Sequence, residues 1–398
     1  MHSQTPYGRL SRVLAVRVTF VAVASRDLEP KATLHSRRLG RAGRSPSARS
    51  VTLCAAVAAT ALVAAAAAQS AVTYRLQSPQ RSDISRAARA IPDSILSARL
   101  SVPRASWGGA YRTATGESVT VFASNAYPVD PTVGQRWADF LTSLVHGSEL
   151  STVIVFLAPS AQVEQLCGQE AIACYSPPDD LLVAPGEDPE ADLSSEAVIT
   201  HEYGHHVAAN RSNAPWDALD TGTKRWASSI QVCTKARKGD LVPGAEDPVQ
   251  YEINPGEGFA EAYRVLNERK AGRTETPWRI VSDVLYPNAA ALQALELDVT
   301  SPWERETTTT QTGRFTRSAR TRTLTIATPL DGRLRLTLRP SSGTRLSVDV
   351  FAASKRVAHA AGTATLARGV TICGTRSYRV RVRALTGNGS FSLAVSKP

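Results

Sequence analysis

A chain of 398 residues with 42% hydrophobic and 20% charged side chains has a globular composition with room for about two domains, which excludes a coiled coil, a collagen-like repeat and a wholly disordered chain. The formal net charge of +11 is unevenly spread: residues 1–50 carry +8 and residues 314–398 carry +14, which leaves −11 for residues 72–313. Without its first 71 residues the chain carries only about +3, so binding of nucleic acid through bulk charge is not expected.

Val51 to Ala68 is uncharged, Ala-rich and apolar, preceded by Arg41, Arg44 and Arg49 and followed by small residues. That is the order of a secretory signal, with cleavage expected just after Ala68 or Ala71. The alternative is a membrane anchor, but Leu53 and Leu62 are the only strongly apolar aliphatics besides valines, and nothing bulky fixes the stretch at an interface. Cys54 stands at the start of the stretch, whereas a lipoprotein cysteine stands at its end. Residues 1–71 therefore read as leader and signal, with the signal itself within about 41–71. A secreted or extracellular monomer is expected. Export permits disulfides. Cys167 and Cys174 close a short loop and form the first candidate bridge, and a Cys233–Cys373 link would staple the C-terminal part to the body. No C-x-x-C pair supports a zinc knuckle.

Residues 109–124 read as a hairpin around Gly116, with Val119, Val121 and Ala123 alternating. Asp130-Pro131 starts a helix, an N-cap followed by proline at the first helical position. Val133, Trp137, Phe140, Leu141, Leu144 and Val145 give it an apolar face, and its end is expected near Gly147. Val153–Leu157 reads as a strand, Ala161–Cys167 as a short helix and Leu181–Val183 as another strand. Prolines at 177, 178, 185 and 189 bracket that last strand, which predicts a sheet edge. Glu187, Asp188 and Glu190, interrupted by Pro189, read as a solvated acidic loop rather than a calcium site.

His201-Glu202-Tyr203-Gly204-His205 is an H-E-x-x-H motif on a predicted helix. Asp192, Ser194 and Ser195 are N-cap candidates, Glu196 suits the first turn, and Asn210 stands near the end. Positions i and i+4 lie one turn apart on the same face, so both imidazoles meet one cation without backbone strain. Glu202 falls beside them, near a metal-held water without being needed as a ligand. Gly204 is costly inside a helix at about 1 kcal/mol, which suggests that another segment approaches there. His206 lies about 100° round the helix from His205 and reads as packed or hydrogen-bonded. His146 and His359 read the same way, and no G-x-S-x-G elbow supports a serine hydrolase.

A catalytic zinc site needs a third protein ligand. Asn254 and Pro255 start a second helix, Glu257 completes a capping-box-like spacing, and Glu257 and Glu261 are again i and i+4. Two stacked carboxylates repel unless a cation or buried donor compensates. A metal at Glu257, with Glu261 accepting the other N–H of a ligating histidine, removes the conflict; otherwise the pair is a solvated acidic face.

Thr307–Thr310 with Gln311-Thr312-Gly313 reads as a polar linker. Beyond it the period becomes two: Leu334, Leu336 and Leu338; Leu346, Val348 and Val350; Tyr378, Val380 and Val382; Phe391, Leu393 and Val395. Short strands with one apolar face each predict a small β-sandwich. The alternating Arg379, Arg381 and Arg383 suit a solvated face that discourages edge pairing, or a grip on a polyanion.

The run H-E-x-G-H at 201–205, followed by N-x-x-E-x-F-A-E-A-Y-R at 254–264, resembles the gluzincin metallopeptidases, in particular the catalytic-domain type of anthrax lethal factor. The resemblance implies zinc held by His201, His205 and Glu257, Glu202 as general base, Glu261 behind a ligating histidine, and a tyrosine that stabilises the oxyanion. Tyr251 matches that tyrosine, one residue closer to the glutamate than the family pattern; Tyr263 is the alternative. The tail resembles bacterial pre-peptidase C-terminal domains. The expected fold is thus an α+β zincin-like metallopeptidase domain over 72–306, a linker at 307–313 and an all-β sandwich over 314–398. The expected function is a secreted zinc-dependent peptidase acting on a peptide or protein substrate. The alternative is a catalytically silent binding protein whose basic sandwich holds a cell wall or other anionic surface. A structural zinc site is disfavoured by Glu202 and the missing fourth protein ligand.

Overall fold

The computed structural model describes residues 94–95, 99–187, 193–245 and 250–398. The leader and signal expected over residues 1–71 lie outside the described residues, as do Asp188, Pro189, Glu190 and Asp192. No helix among the described residues is long and apolar enough to cross a membrane.

The N-terminal part is built on one mixed sheet. Its strands are β1 (Ser94–Ile95), β2 (Ser106–Arg112), β3 (Ser118–Ser124), β4 (Ile154–Ala158), β5 (Cys174–Ser176) and β6 (Leu181–Pro185), in the order β1-β5-β6-β4-β3-β2. β2 and β3 form the expected hairpin, β3, β4 and β6 run parallel, and β5 is antiparallel to β6. Helix α1 (Pro131–Ser143) links β3 to β4, and the Asp130 carboxylate caps it by accepting from Thr132 N. Trp137, Ala138 and Leu141 form its buried side. Helix α2 (Ser160–Cys167) follows β4.

Leu181–Val183 is not an edge. β6 is hydrogen-bonded to β4 on one side and β5 on the other, and all five of its residues are buried. A continuous apolar run belongs to a strand covered on both faces; the prolines punctuate the loops on either side instead of exposing the strand. The body ends its sheet at β2, whose free edge is the longer one.

The helical layer comprises α3 (Ser195–Ala209), α4 (Ala218–Thr221), α5 (Lys224–Ser229), α6 (Val232–Lys238), α7 (Pro255–Lys270) and α8 (Ala289–Thr300). Ser194 caps α3 by accepting from Ala197 N, and Asn254 caps α7 by accepting from Gly256 N. Apart from Glu196, α3 is buried from Ser195 to Ala208, packed on β5, β6 and α7. A helix buried all round is stabilised by tertiary contacts far more than by its own propensity.

Thr307–Gly313 is not a linker: Thr307–Arg314 forms strand β7, paired along its length with the last strand. β-Branched threonines tolerate an exposed edge strand, so a wholly polar segment pairs here. With β8 (Thr321–Ala327), β9 (Gly332–Pro340), β10 (Arg345–Ala352), β11 (Lys355–Gly362), β12 (Leu366–Ile372), β13 (Ser377–Thr386) and β14 (Ser390–Lys397) it makes two antiparallel sheets, β11-β10-β13-β8 and β12-β9-β14-β7. Leu334, Leu336, Leu338, Val348, Val380 and Leu393 share one core between them, the arrangement of a β-sandwich.

Both expected disulfides form, Cys167–Cys174 and Cys233–Cys373. Two such bridges suit an oxidising, extracellular setting. The second ties α6 to the turn after β12. Beside it Lys224 Nζ, on α5, donates to Ala214 O at 2.6 Å and Asp331 O at 3.2 Å, while Arg376 donates to Ser228 O at 3.0 Å.

Candidate metal centre

α3 and α7 cross where neither helix has a bulky side chain. A Cβ on Gly204 would lie 2.8 Å from Ala260 Cα, so the glycine permits the close approach that its position in the motif suggested. The crossing brings His201 and His205 of α3 onto Glu257 of α7. Glu257 Oε2 lies 3.3 Å from His201 Nε2 and 3.2 Å from His205 Nε2, with all three groups buried. One ligand atom from each of the three lies within 4.8 Å of the other two. Ligands held about 2.0–2.2 Å from a tetrahedral zinc are separated by about 3.3–3.5 Å, which the two distances to Glu257 approach.

The proton inventory points the same way. His201 Nδ1 faces Glu261 Oε2 at 3.2 Å, and Arg264 holds Glu261 by Nε to Oε2 at 2.6 Å and Nη2 to Oε1 at 3.0 Å. A carboxylate so paired only accepts, so Nδ1 donates and a neutral His201 turns a lone pair toward Glu257. Two acceptors at that distance repel, and either a metal ion between them or a second proton on the imidazole relieves the repulsion. Arg264 also donates to Glu268 Oε2 at 2.6 Å, and Glu268 accepts from Thr276 N and Oγ1. Glu257, Glu261 and Glu268 outnumber the one guanidinium, and Glu202 adds a fourth buried carboxylate, an excess of negative charge that favours a bound cation. Burial pushes the Glu257 carboxyl up, but the opposing pull of His205 and His201 wins and holds it well below the usual carboxylate range. Burial likewise raises Glu261, and Arg264 with His201 outweighs it, bringing it down to about 2. Nitrogen and carboxylate donors of this kind suit zinc.

Glu202 is 1% exposed on the same helix turn. Tyr251, in a short turn before α7, donates its hydroxyl to Glu257 Oε2 at 2.6 Å and so stands in the site. Tyr263 does not: its hydroxyl donates to Val145 O at 2.6 Å. The capping-box spacing of Glu257 is not used as a cap, since Asn254 N donates to Tyr251 O. His206 is fully buried, with Nε2 2.9 Å from Glu149 O and Nδ1 3.0 Å from Tyr175 Oη. His359 is 2.8 Å from Asp349 and away from the centre. The Arg264–Glu268–Thr276 extension was not anticipated, although Glu261, Arg264 and Glu268 stand at i, i+3 and i+7, a spacing that pairs charges along a helix.

No protein-family model and no curated protein matches this chain. Among solved structures, the pre-peptidase C-terminal domain of collagenase from Bacillus anthracis is similar at 17% identity over 22% of this chain and 87% of that one, with a TM-score of 0.20. Yersinia pseudotuberculosis-derived mitogen is similar at 10% identity over 23% and 87%, with a TM-score of 0.20. Dimeric latent PorU from Porphyromonas gingivalis is similar at 11% identity over 24% and 13%, with a TM-score of 0.16. Likenesses at these scores carry no argument, and the function is read from the residues.

Proposed function

We propose that the chain is a secreted zinc-dependent peptidase, with a zincin-like catalytic domain over residues 72–306 followed by the sandwich. The observation that carries this reading is the convergence of His201, His205 and Glu257 at 3.2–3.3 Å beside the buried Glu202. Zinc in that position supplies Lewis acidity toward a peptide carbonyl and lowers the pKa of a water toward about 7.

The chain's own residues do the rest. Glu261 fixes the Nδ1–H of His201 and so leaves Nε2 free of a proton. Glu202 takes a proton from the attacking water on its carboxylate and delivers it to the departing amine nitrogen. Tyr251 offers its hydroxyl to the carbonyl oxygen as negative charge builds there. An extended substrate finds no free strand edge at Leu181–Val183, because both sides of β6 are already paired. Glu202→Gln should keep stoichiometric zinc and lose peptide hydrolysis by about 100-fold or more. Hydrolysis of a peptide library that survives chelation, or a Glu202→Gln variant as fast as wild type, overturns the reading.

A further inference from the structure

The outward faces of the two sandwich sheets are both rich in arginine, but they use the charge differently. On the β11-β10-β13-β8 face Asp349 accepts from Arg381 at 3.2 Å and Arg356 at 3.4 Å, with His359 at 2.8 Å. Phe351 lies under Arg379 and Arg381, at 5.1 and 4.9 Å from ring centre to guanidinium. These cations are committed to their own sheet.

On the β12-β9-β14-β7 face, Arg333, Arg335 and Arg339 alternate along β9 with the buried Leu334, Leu336 and Leu338, and Arg314 ends β7. Glu306 lies 3.6 Å from Arg335. The side chains of Arg314, Arg333 and Arg339 have no hydrogen-bond or ion-pair partner among the described residues. The floor between them is small and hydroxylated. Register puts Thr312 and Arg339 on either side of Ser392, and Thr308 and Arg335 on either side of Ser396. Gly369 lies beside Arg335. At the Arg314–Arg339 end the face opens into a cleft of about 610 Å³, also lined by Ser341 and Ser390. At about 3.4 Å per residue, the β9 arginines span roughly 20 Å.

We propose that this face binds a linear anionic polysaccharide. Its acidic groups would sit on the guanidiniums of Arg333, Arg335, Arg339 and Arg314, and its hydroxyls on the serine and threonine floor. Forked guanidiniums without internal partners recognise sulfate, phosphate or carboxylate groups in two-point fashion. A floor of small side chains lets an extended polymer lie close to the strands. Single-stranded nucleic acid fits less well, because the outward strand positions of this face are Arg, Ser, Thr, Ala and Gly, and Phe391, the ring that lines the cleft, is buried and stacked on Phe315. A membrane fits less well, because the exposed large apolar residues, Val129, Val284, Leu297, Val357 and Leu385, all lie off these four strands. The inference stands independently of the metal centre.

The test uses the full, disulfide-intact chain and dextran sulfate as probe, with unsulfated dextran and single-stranded DNA in parallel. Dextran sulfate should bind and dextran should not, with affinity falling about tenfold or more between 50 and 200 mM salt. Arg333→Gln/Arg335→Gln/Arg339→Gln should weaken binding at least about tenfold, and Arg339→Gln alone about threefold, with thermal midpoints unchanged. Arg379→Gln/Arg383→Gln, on the opposite face, should bind like wild type. Equal losses from the two faces would mean that net charge alone is read, and DNA binding as tight as dextran sulfate would make nucleic acid the partner. Either result, or wild-type binding by the triple variant, overturns the proposal.

Discussion

The close crossing of α3 and α7 makes Gly204→Ala an informative perturbation, because two effects of opposite sign meet there. Alanine inside a helix gains about 1 kcal/mol over glycine. Against that, the new Cβ would lie 2.8 Å from Ala260 Cα, 3.2 Å from its carbonyl oxygen and 3.3 Å from its Cβ, backbone and Cβ atoms of the neighbouring helix that have no flexible side-chain end to give way. Ordinary contact starts near 3.4 Å, so relief needs the helices to part by about 0.6 Å. Overpacking of this kind costs about 1–3 kcal/mol, which leaves a net loss of about 0–2 kcal/mol in the metal-free protein. The larger effect is on the metal. Parting the helices stretches the distances between the histidines and Glu257 from 3.2–3.3 Å to nearly 4 Å, and zinc bonds would have to lengthen to about 2.4 Å or one ligand be lost. Zinc affinity, measured by competition with a chromophoric chelator, should fall tenfold or more, about 1.4 kcal/mol. Gly109→Ala, where a Cβ meets nothing within 4 Å, serves as the control. A Gly204→Ala protein that is more stable than wild type and binds zinc equally well would refute the idea that this crossing sets the site.

Three other perturbations follow from buried charge and covalent links. Arg264→Met strands Glu261 and Glu268 without their cation, so it should cost about 3–5 kcal/mol in urea unfolding and weaken zinc binding about 10–100-fold; full retention of both would contradict the charge inventory. Burial lowers the Lys224 ammonium to about 8, below its value in the unfolded chain, so the folded state sheds that proton first as pH rises. Stability relative to Lys224→Met should therefore increase between pH 8 and 10, and denaturant melts showing a decrease would reverse the sign of the argument. The Cys233–Cys373 bridge closes a separation of 140 residues and Cys167–Cys174 one of 7. On chain entropy alone, removing the first as a Cys233→Ala/Cys373→Ala pair should cost about 5 kcal/mol, and removing the second about 2 kcal/mol; equal losses would show that loop length does not govern either link.

Much of the architecture can be read from periodicity. The sandwich strands announce themselves through Leu334/Leu336/Leu338 and Val380/Val382, because one buried face imposes a period of two. Asp130-Pro131 and Asn254-Pro255 mark helix starts because their side chains satisfy N–H groups the helix leaves open. The errors have physical causes. Prolines around β6 suggest an edge, whereas its unbroken apolar run reports burial on both faces and the prolines only bound it. Thr307–Arg314 looks like a linker because an edge strand paired on one side needs no apolar face. At the centre, the H-E-x-x-H spacing puts two candidate ligands on one helix face from helix geometry alone. Glu257 is harder, since its place after Asn254 also suits a capping box, and only the approach of α7 to Gly204 turns its carboxylate inward. The choice between Tyr251 and Tyr263 is open in the sequence for the same reason: they flank Glu257 at equal separations, and tertiary contact with Val145 removes Tyr263.

Zinc K-edge absorption on the purified, zinc-loaded chain, with elemental analysis of wild type and His205→Ala side by side, examines the centre itself. One equivalent of zinc is expected in wild type, surrounded by nitrogen and oxygen neighbours at about 2.0–2.1 Å with the multiple-scattering signature of two imidazoles, and that equivalent should be lost in His205→Ala. Sub-stoichiometric zinc in wild type, a sulfur shell, or undiminished uptake by His205→Ala would contradict it.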